Sequence, residues 1–125
     1  MENDNITVLV IEPEKKPYVK SIPSGLESLQ HEVGGYIQAV YPWEDELCAI
    51  ICDEEGKLKG KALNRALRDQ DGYIYDVVAG TFLIVGLGED RFTSLDSKYI
   101  RKYSKMFTNL EVFLRFDDKI LVLPL

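Results

Sequence analysis

Histidine and cysteine are scarce in this chain of 125 residues, which has one histidine and two cysteines. A zinc site gathers several such ligands in one place, so no metal is expected. Cys48 and Cys52 lie in the apolar run 47–52. In a strand their Cα atoms would be roughly 13 Å apart, which is too far for a disulfide, so we expect two reduced, buried thiols. His31 is expected at the surface, on the polar side of a helix.

Signatures of nucleotide-binding loops, hydrolases and membrane spans are also missing. Gly80, Gly86 and Gly88 form no G-x-G-x-x-G motif, and neither a Gly-Lys-Ser/Thr sequence nor a G-x-S-x-G elbow occurs. The longest apolar run, 77–88, is shorter than the ~20 residues of a membrane span. The amino end is acidic and polar, unlike a signal peptide. We therefore expect a cytoplasmic protein that is not an enzyme, needs no cofactor and does not enter a membrane.

Positive charge is in deficit. The chain has 15 Lys and Arg residues against 21 Asp and Glu residues, a formal net charge of −6. A protein that grips nucleic acid through its phosphates needs a basic footprint. This balance argues against nucleic-acid binding, and we read the charge as a contribution to solubility.

The pattern of apolar residues predicts one α+β domain over residues 1–125, with 1–5 as a frayed end. Six to seven strands are expected in a mixed or mainly antiparallel sheet, at 6–11, 17–22, 36–41, 47–52, 81–87, 112–116 and 120–123. Two main helices are predicted at about 24–33 and 94–107, and one short helix at about 62–68. Ser24 and Glu27 have the spacing of a capping box, and Gly34 stands where a helix takes its left-handed cap.

The predicted short helix carries the first group of candidate binding residues. On a helix, Asn64, Arg65 and Arg68 would fall on one face. Two guanidinium groups and an amide can together hold a phosphate or a carboxylate. The alternative is a solvated face on which the arginines pair with Asp69 or Asp71.

A second group of candidates surrounds two glycines. Tyr36 and Gln38 would share one face of the strand that follows Gly34 and Gly35, where bare backbone lets a ligand or another chain approach closely. Trp43, in the next turn, adds a second ring for stacking. The alternative is plain sheet packing beside a helix cap.

Four sequence blocks point to a family: Val10 to Pro13, Gly34 to Gln38, Asp53 to Asn64, and Ala79 to Thr81. With these blocks the chain resembles a small family of domains of unknown function from bacteriophages and from plasmid or conjugative-element cargo of bacteria. The resemblance runs from residue 6 to 124 and transfers no catalytic residues. It implies an accessory or counter-defence role.

The leading hypothesis is a non-enzymatic cytosolic binding protein of mobile-element origin that recognises a small anionic or nucleotide-like ligand. The ligand-binding candidates are Tyr36, Gln38, Trp43, Asn64, Arg65 and Arg68. One alternative is a protein-interaction module that blocks a host protein through its acidic surface and an exposed strand edge; the other is an unrecognised enzyme. We also expect a homo-oligomer, because the carboxyl-terminal hairpin bears Phe113 and Phe116, apolar surface that one small core does not cover.

Overall fold

The computed structural model describes residues 4–124, which form ten strands and two α-helices. The strands are β1 (Asn5–Ile11), β2 (Tyr18–Pro23), β3 (Ile37–Val40), β4 (Cys48–Asp53), β5 (Leu63–Arg68), β6 (Ile74–Ala79), β7 (Phe82–Leu87), β8 (Phe92–Thr93), β9 (Glu111–Phe116) and β10 (Lys119–Pro124). The helices are α1 (Leu26–Val33) and α2 (Ser97–Met106). Of the predicted frayed end, residues 1–3 lie outside the described residues, and Asn5 already begins β1.

Strands that are apolar on both faces form the centre of the main sheet. Its order is β2-β1-β7-β4-β3, with β8 paired to the end of β7, and every pairing is antiparallel. All six residues of β4 are buried, and so are the first five of β7. The predicted α+β class and mainly antiparallel sheet are therefore confirmed.

The two faces of this sheet are covered by different elements. Helix α1 packs Leu29 and Val33 against one face. The other face is covered by α2 and its C-cap residue, through Tyr103 and Phe107, and by the hairpin of β5 and β6, which contributes Leu67 among others. The candidate binding residues that line cavities lie on this second side.

The helix ends differ partly from the prediction. Gly34, with φ of 78°, provides the predicted left-handed cap of α1. The capping box is wrong, because Gly25 is the N-cap and no side-chain cap hydrogen bond forms. Helix α2 begins later than predicted, with Asp96 as its N-cap. The reason is that residues 94 and 95 bond to β1: the Ser94 hydroxyl accepts from the Thr7 amide, and the Leu95 amide donates to the Thr7 carbonyl.

The predicted short helix at 62–68 is wrong, since this segment is strand β5. It pairs antiparallel with β6, placing Leu63 opposite Ala79 and Ala66 opposite Val77. Residues 64–67 are all buried, as in a strand covered on both sides. A strand partner rich in β-branched residues thus overrides the local helical preference of 62–68.

The carboxyl-terminal hairpin, β9 and β10, forms as predicted, around a turn in which Asp117 has φ of 55°. Both cysteines are free and buried in β4, as expected, and His31 is exposed at the end of α1. Within residues 4–124, neither helix is long and apolar enough to cross a membrane.

Candidate functional site

The predicted binding residues do not converge on one place. Trp43, Arg65 and Arg68 line a groove of about 440 Å³ between α2, the β5–β6 hairpin and the start of β9. Gln38 lines a separate cleft of about 430 Å³ that lies between β3, β4 and β6. Tyr36 lines neither cavity and is 68% exposed.

Asn64 is held inside the fold. Its amide nitrogen donates to the Ile11 carbonyl at 2.8 Å and to the Gly80 carbonyl at 2.9 Å, and its amide oxygen accepts from Arg65 at 2.7 Å. Because Asn64 is 2% exposed and bonds through both ends of its amide, it ties β5 to β1 and to the turn after β6.

Arg65 is a buried cation, only 1% exposed. Its guanidinium donates to the carbonyls of Phe107 at 3.1 Å, Lys15 at 2.7 Å and Asn64 at 3.1 Å. These partners are neutral dipoles. Burial lowers the pKa of Arg65, and the negative charge of Glu111 opposes that shift. Arg65 therefore joins several loops and also brings a positive charge beneath the groove.

Glu111, the first residue of β9, joins this cluster from a distant part of the chain. One carboxylate oxygen accepts the Ala66 backbone amide at 2.9 Å, and the other accepts Arg68 Nη2 at 2.6 Å. The Glu111 side chain is 8% exposed and that of Arg68 is 44% exposed. The Glu111 carboxylate thus bonds to one guanidinium and one backbone amide, and its charge also acts on the buried guanidinium of Arg65.

Aromatic side chains form much of the rest of the groove. Trp43 stacks on Tyr103 with ring centroids 3.9 Å apart and planes inclined by 23°, and it meets Phe107 at 6.5 Å. The remaining lining includes Pro42, Tyr75, Met106 and Phe107. Such a surface accepts a flat apolar group beside the charged end of the groove.

The opposite edge of the same hairpin is closed in a similar way. Val77 lies opposite Ala66, and its amide donates to the carboxylate of Asp76 at 2.8 Å. Lys57 in turn donates to Asp76 at 2.5 Å. Both outer edges of the hairpin are therefore occupied by a carboxylate with a basic partner, which discourages pairing with foreign strands.

The glycine pair and the lysine-rich loop meet at Asp53. Lys59 and Lys61 donate to its carboxylate at 2.9 and 2.6 Å, and Lys61 also donates to the Val33 carbonyl at the end of α1. Burial raises the pKa of Asp53, but the hydrogen bonds from Lys61 and Lys59 outweigh it and lower the pKa to about 2. A Cβ at Gly35 would lie 2.7 Å from the Asp53 carboxylate, so the chain itself fills the space beside this glycine.

Gln38 remains available in the second cleft. Gln38 and Val40 both line it, as expected for residues on one face of a strand. Its other polar lining includes Lys57 and Asp76, which bond to each other. The Cys52 thiol, also at this cleft, donates to the Gln38 carbonyl at 3.8 Å, and burial raises its pKa, so it is a poor nucleophile.

The matched family spans most of this architecture. A domain of unknown function, DUF3846, matches residues 6–108. The chain belongs to this family. Comparison with curated proteins gives no match, and comparison with solved structures gives none. The DUF3846 region contains the main sheet, both helices and the β5–β6 hairpin, whereas Glu111 and the β9–β10 hairpin follow it.

Sequence reasoning missed two parts of the candidate site. Glu111 gave no local signal, because its role depends on β9 lying beside β5, 43 residues away from Arg68 along the chain. Asp53 is followed by the charged residues Glu54, Glu55 and Lys57, a run that is typical of a solvated turn. The lysines that follow it at alternate positions, Lys57, Lys59 and Lys61, were the one sequence feature that indicated a buried carboxylate in need of positive partners. Lys59 and Lys61 are the two that pair with it.

Proposed function

We propose that this DUF3846 protein is a non-enzymatic binding protein for a small anionic or nucleotide-like ligand, with the groove beside Arg68 as its site. The observation that carries the proposal is the position of Arg68: its side chain is 44% exposed and lines the same groove as the rings of Trp43 and Tyr75. An accessible guanidinium beside aromatic rings can bind the anionic part and the flat part of one ligand together.

The residues of this proposed site have distinct roles. Arg68, with its partly exposed guanidinium, binds the anionic group directly. Arg65 supplies charge from beneath, since its own donors bond to carbonyls. Trp43 and Tyr75 give aromatic surface against which a base or another flat group stacks. Tyr36, Gln38 and Asn64 lie elsewhere and are not part of this site.

The cellular setting is part of the proposal and rests on the resemblance to phage and plasmid families. In that setting, a small cytosolic binding protein acts by stoichiometric capture of a nucleotide-like signal, which is a counter-defence role.

A direct search for the ligand tests the proposal. Mass spectrometry of protein purified under native conditions should detect a retained anionic molecule, and calorimetric titration with AMP and inorganic phosphate should give binding. Arg68→Ala should weaken that binding by roughly tenfold to a hundredfold. Arg91→Ala is the matched control, because Arg91 is exposed and outside the groove. Equal affinity in Arg68→Ala and the wild type would remove the groove from consideration.

The β9–β10 hairpin favours a second candidate function, in which the protein binds and blocks a host protein. The same surface would also serve for association with a second copy of this chain. The outward side chains of Leu114, Phe116, Leu121 and Leu123 are each 39–58% exposed. Among the described residues, the outer edge of β10 has no backbone partner. Residues 120–123 of β10 carry no charge, and an unpaired strand edge is the usual place for another strand to add.

A further inference from the structure

The carboxylate of Glu111 occupies the position that an anionic ligand would take. Its two oxygens accept separately from the Ala66 amide and from Arg68 Nη2. This is the arrangement in which a carboxylate or a phosphate binds to protein, one oxygen on a backbone amide and one on a guanidinium. The site is therefore already filled, by a side chain of the same molecule.

Asp76, on the other edge of the hairpin, differs from Glu111 in how it is attached to the amide that it accepts. It accepts from the amide of its direct neighbour, Val77, so it stays at that amide as long as β6 exists. Glu111 reaches Ala66 from another strand, on a side chain with three rotatable bonds. It can leave by side-chain rotation alone, without unpairing β9 from β10.

Leaving is costly unless another anion arrives. Without Glu111, the buried Ala66 amide would lose its hydrogen-bond acceptor. The buried Arg65 cation would lose a nearby negative charge. An incoming oxyanion restores both, so the exchange replaces one charged acceptor by another. The affinity for the ligand then depends on how strongly Glu111 itself binds to the Ala66 amide and to Arg68.

We propose that Glu111 is a built-in competitor of the ligand, and that the site takes an oxyanion, either a carboxylate or a phosphate, that replaces it on Ala66 and Arg68. This inference rests on the proposed function. It makes the segment that follows the matched DUF3846 region a regulator of the groove: residues 6–108 supply Ala66, Arg65 and Arg68, and β9 supplies the competitor.

Titration followed by the backbone amide resonances of Ala66 and Val77 tests the exchange. Inorganic phosphate and succinate, in separate titrations, distinguish the two sources of oxyanion. The Ala66 resonance should shift with saturation, while that of Val77, its partner across the hairpin, should stay nearly fixed. Glu111→Gln should bind the effective anion about tenfold more tightly than the wild type, because glutamine keeps an acceptor for Ala66 but offers Arg68 no charge.

Glu89→Gln is the matched control, since it removes the same charge from an exposed turn and should leave the affinity unchanged. If the wild type binds and Glu111→Gln binds no more tightly, the competitor role is wrong and the proposed function stands. If an anion binds without a shift at Ala66, only the exchange is wrong. If neither protein binds phosphate or succinate, both proposals are wrong for this groove. Should Glu111→Gln fail to fold, the side-chain carboxyl carbon of Glu111 in the wild type decides: it must shift with phosphate or succinate, and a fixed resonance overturns the inference.

Discussion

Ala66 and Val77 lie directly opposite each other in the β5–β6 hairpin, and each donates its outward amide to a carboxylate rather than to a strand. In an antiparallel pair of this kind the amides of both residues point away from the partner strand. The hairpin therefore needs an acceptor on each side. Asp76 provides one from the same strand and Glu111 the other from β9, and only the second is exchangeable.

Arg65 and Arg68 should respond differently to removal. Arg65→Ala deletes a buried side chain and leaves the carbonyls of Phe107 and Lys15 without their donor, so we expect it to lower the free energy of unfolding by about 3 kcal/mol or more. Arg68→Ala removes a partly exposed ion pair and should cost less than about 1 kcal/mol. Denaturant titrations of the two variants without ligand measure this difference.

Arg65→Lys extends that comparison. Lysine keeps the charge but loses the planar fork that reaches several carbonyls at once, so it should restore little of the stability. Equal stability of Arg65→Ala and the wild type would show that the buried network does not hold these loops.

Asp53 should make the protein sensitive to acid. Its pKa is about 2 when folded, below the ordinary value of about 3.9 in an unfolded chain. The unfolded state therefore binds a proton first, and the stabilising contribution is present above pH 4 and is lost as the pH falls toward 2. Asp53→Asn should flatten the pH dependence of urea midpoints in that range. An unchanged slope in the variant would assign the acid sensitivity to other carboxylates.

Gly35 should tolerate no side chain. A Cβ there would lie 2.7 Å from Asp53 Oδ1 and 2.5 Å from Lys59 Nζ, and the Asp53 carboxylate is fixed by two lysines. Gly35→Ala should therefore lower the free energy of unfolding by about 2–3 kcal/mol in denaturant titrations. Gly60→Ala is the comparison, because φ is 72° but nothing lies within 4 Å of a Cβ, so only about 1 kcal/mol of backbone strain arises. A Gly35→Ala protein as stable as the wild type would contradict the packing described at Asp53.

Self-association through the last hairpin remains a prediction. Light scattering at tens of micromolar should give a species larger than the 14.3 kDa chain. Leu121→Lys places a charge on the outward face of β10, which is the device that natural edge strands use against pairing, and it should shift the population to the monomer. A monomeric wild type at that concentration would refute the prediction.

Much of the fold follows from local patterns that tertiary context does not overturn. The run 47–52 is apolar at nearly every position, which fits only a strand covered on both faces, and it became β4 at the centre of the sheet. Gly34 is one of the few residues that adopt the left-handed cap cheaply, so the end of α1 was predictable from one residue. The closing hairpin was likewise marked by two apolar runs around Asp117 and Asp118.

The candidate site was less predictable, because it is made by contacts between distant segments. The sequence grouped Asn64, Arg65 and Arg68 by helical spacing. The segment is instead strand β5, with register shifts at both of its ends, so helical spacing does not apply. Arg65 and Arg68 line the groove, whereas Asn64 bonds to the carbonyls of Ile11 and Gly80. Asn64 and Arg65 are buried and form hydrogen bonds within the fold. Of the three residues, only Arg68 has a partly exposed charge.

The sequence by itself determined the balance of residue types: an acidic chain with one histidine and two cysteines, enough apolar residues for one core, and strands at its most β-branched runs. Those properties depend on composition and on neighbours along the chain. Tertiary structure decided that 63–68 is a strand, because pairing with β6 across the turn 69–73 outweighs the helical preference of 62–68. It also decided that Arg65, Arg68 and Glu111 share one place, since only the packing of β9 beside β5 brings a carboxylate 43 residues away to Arg68.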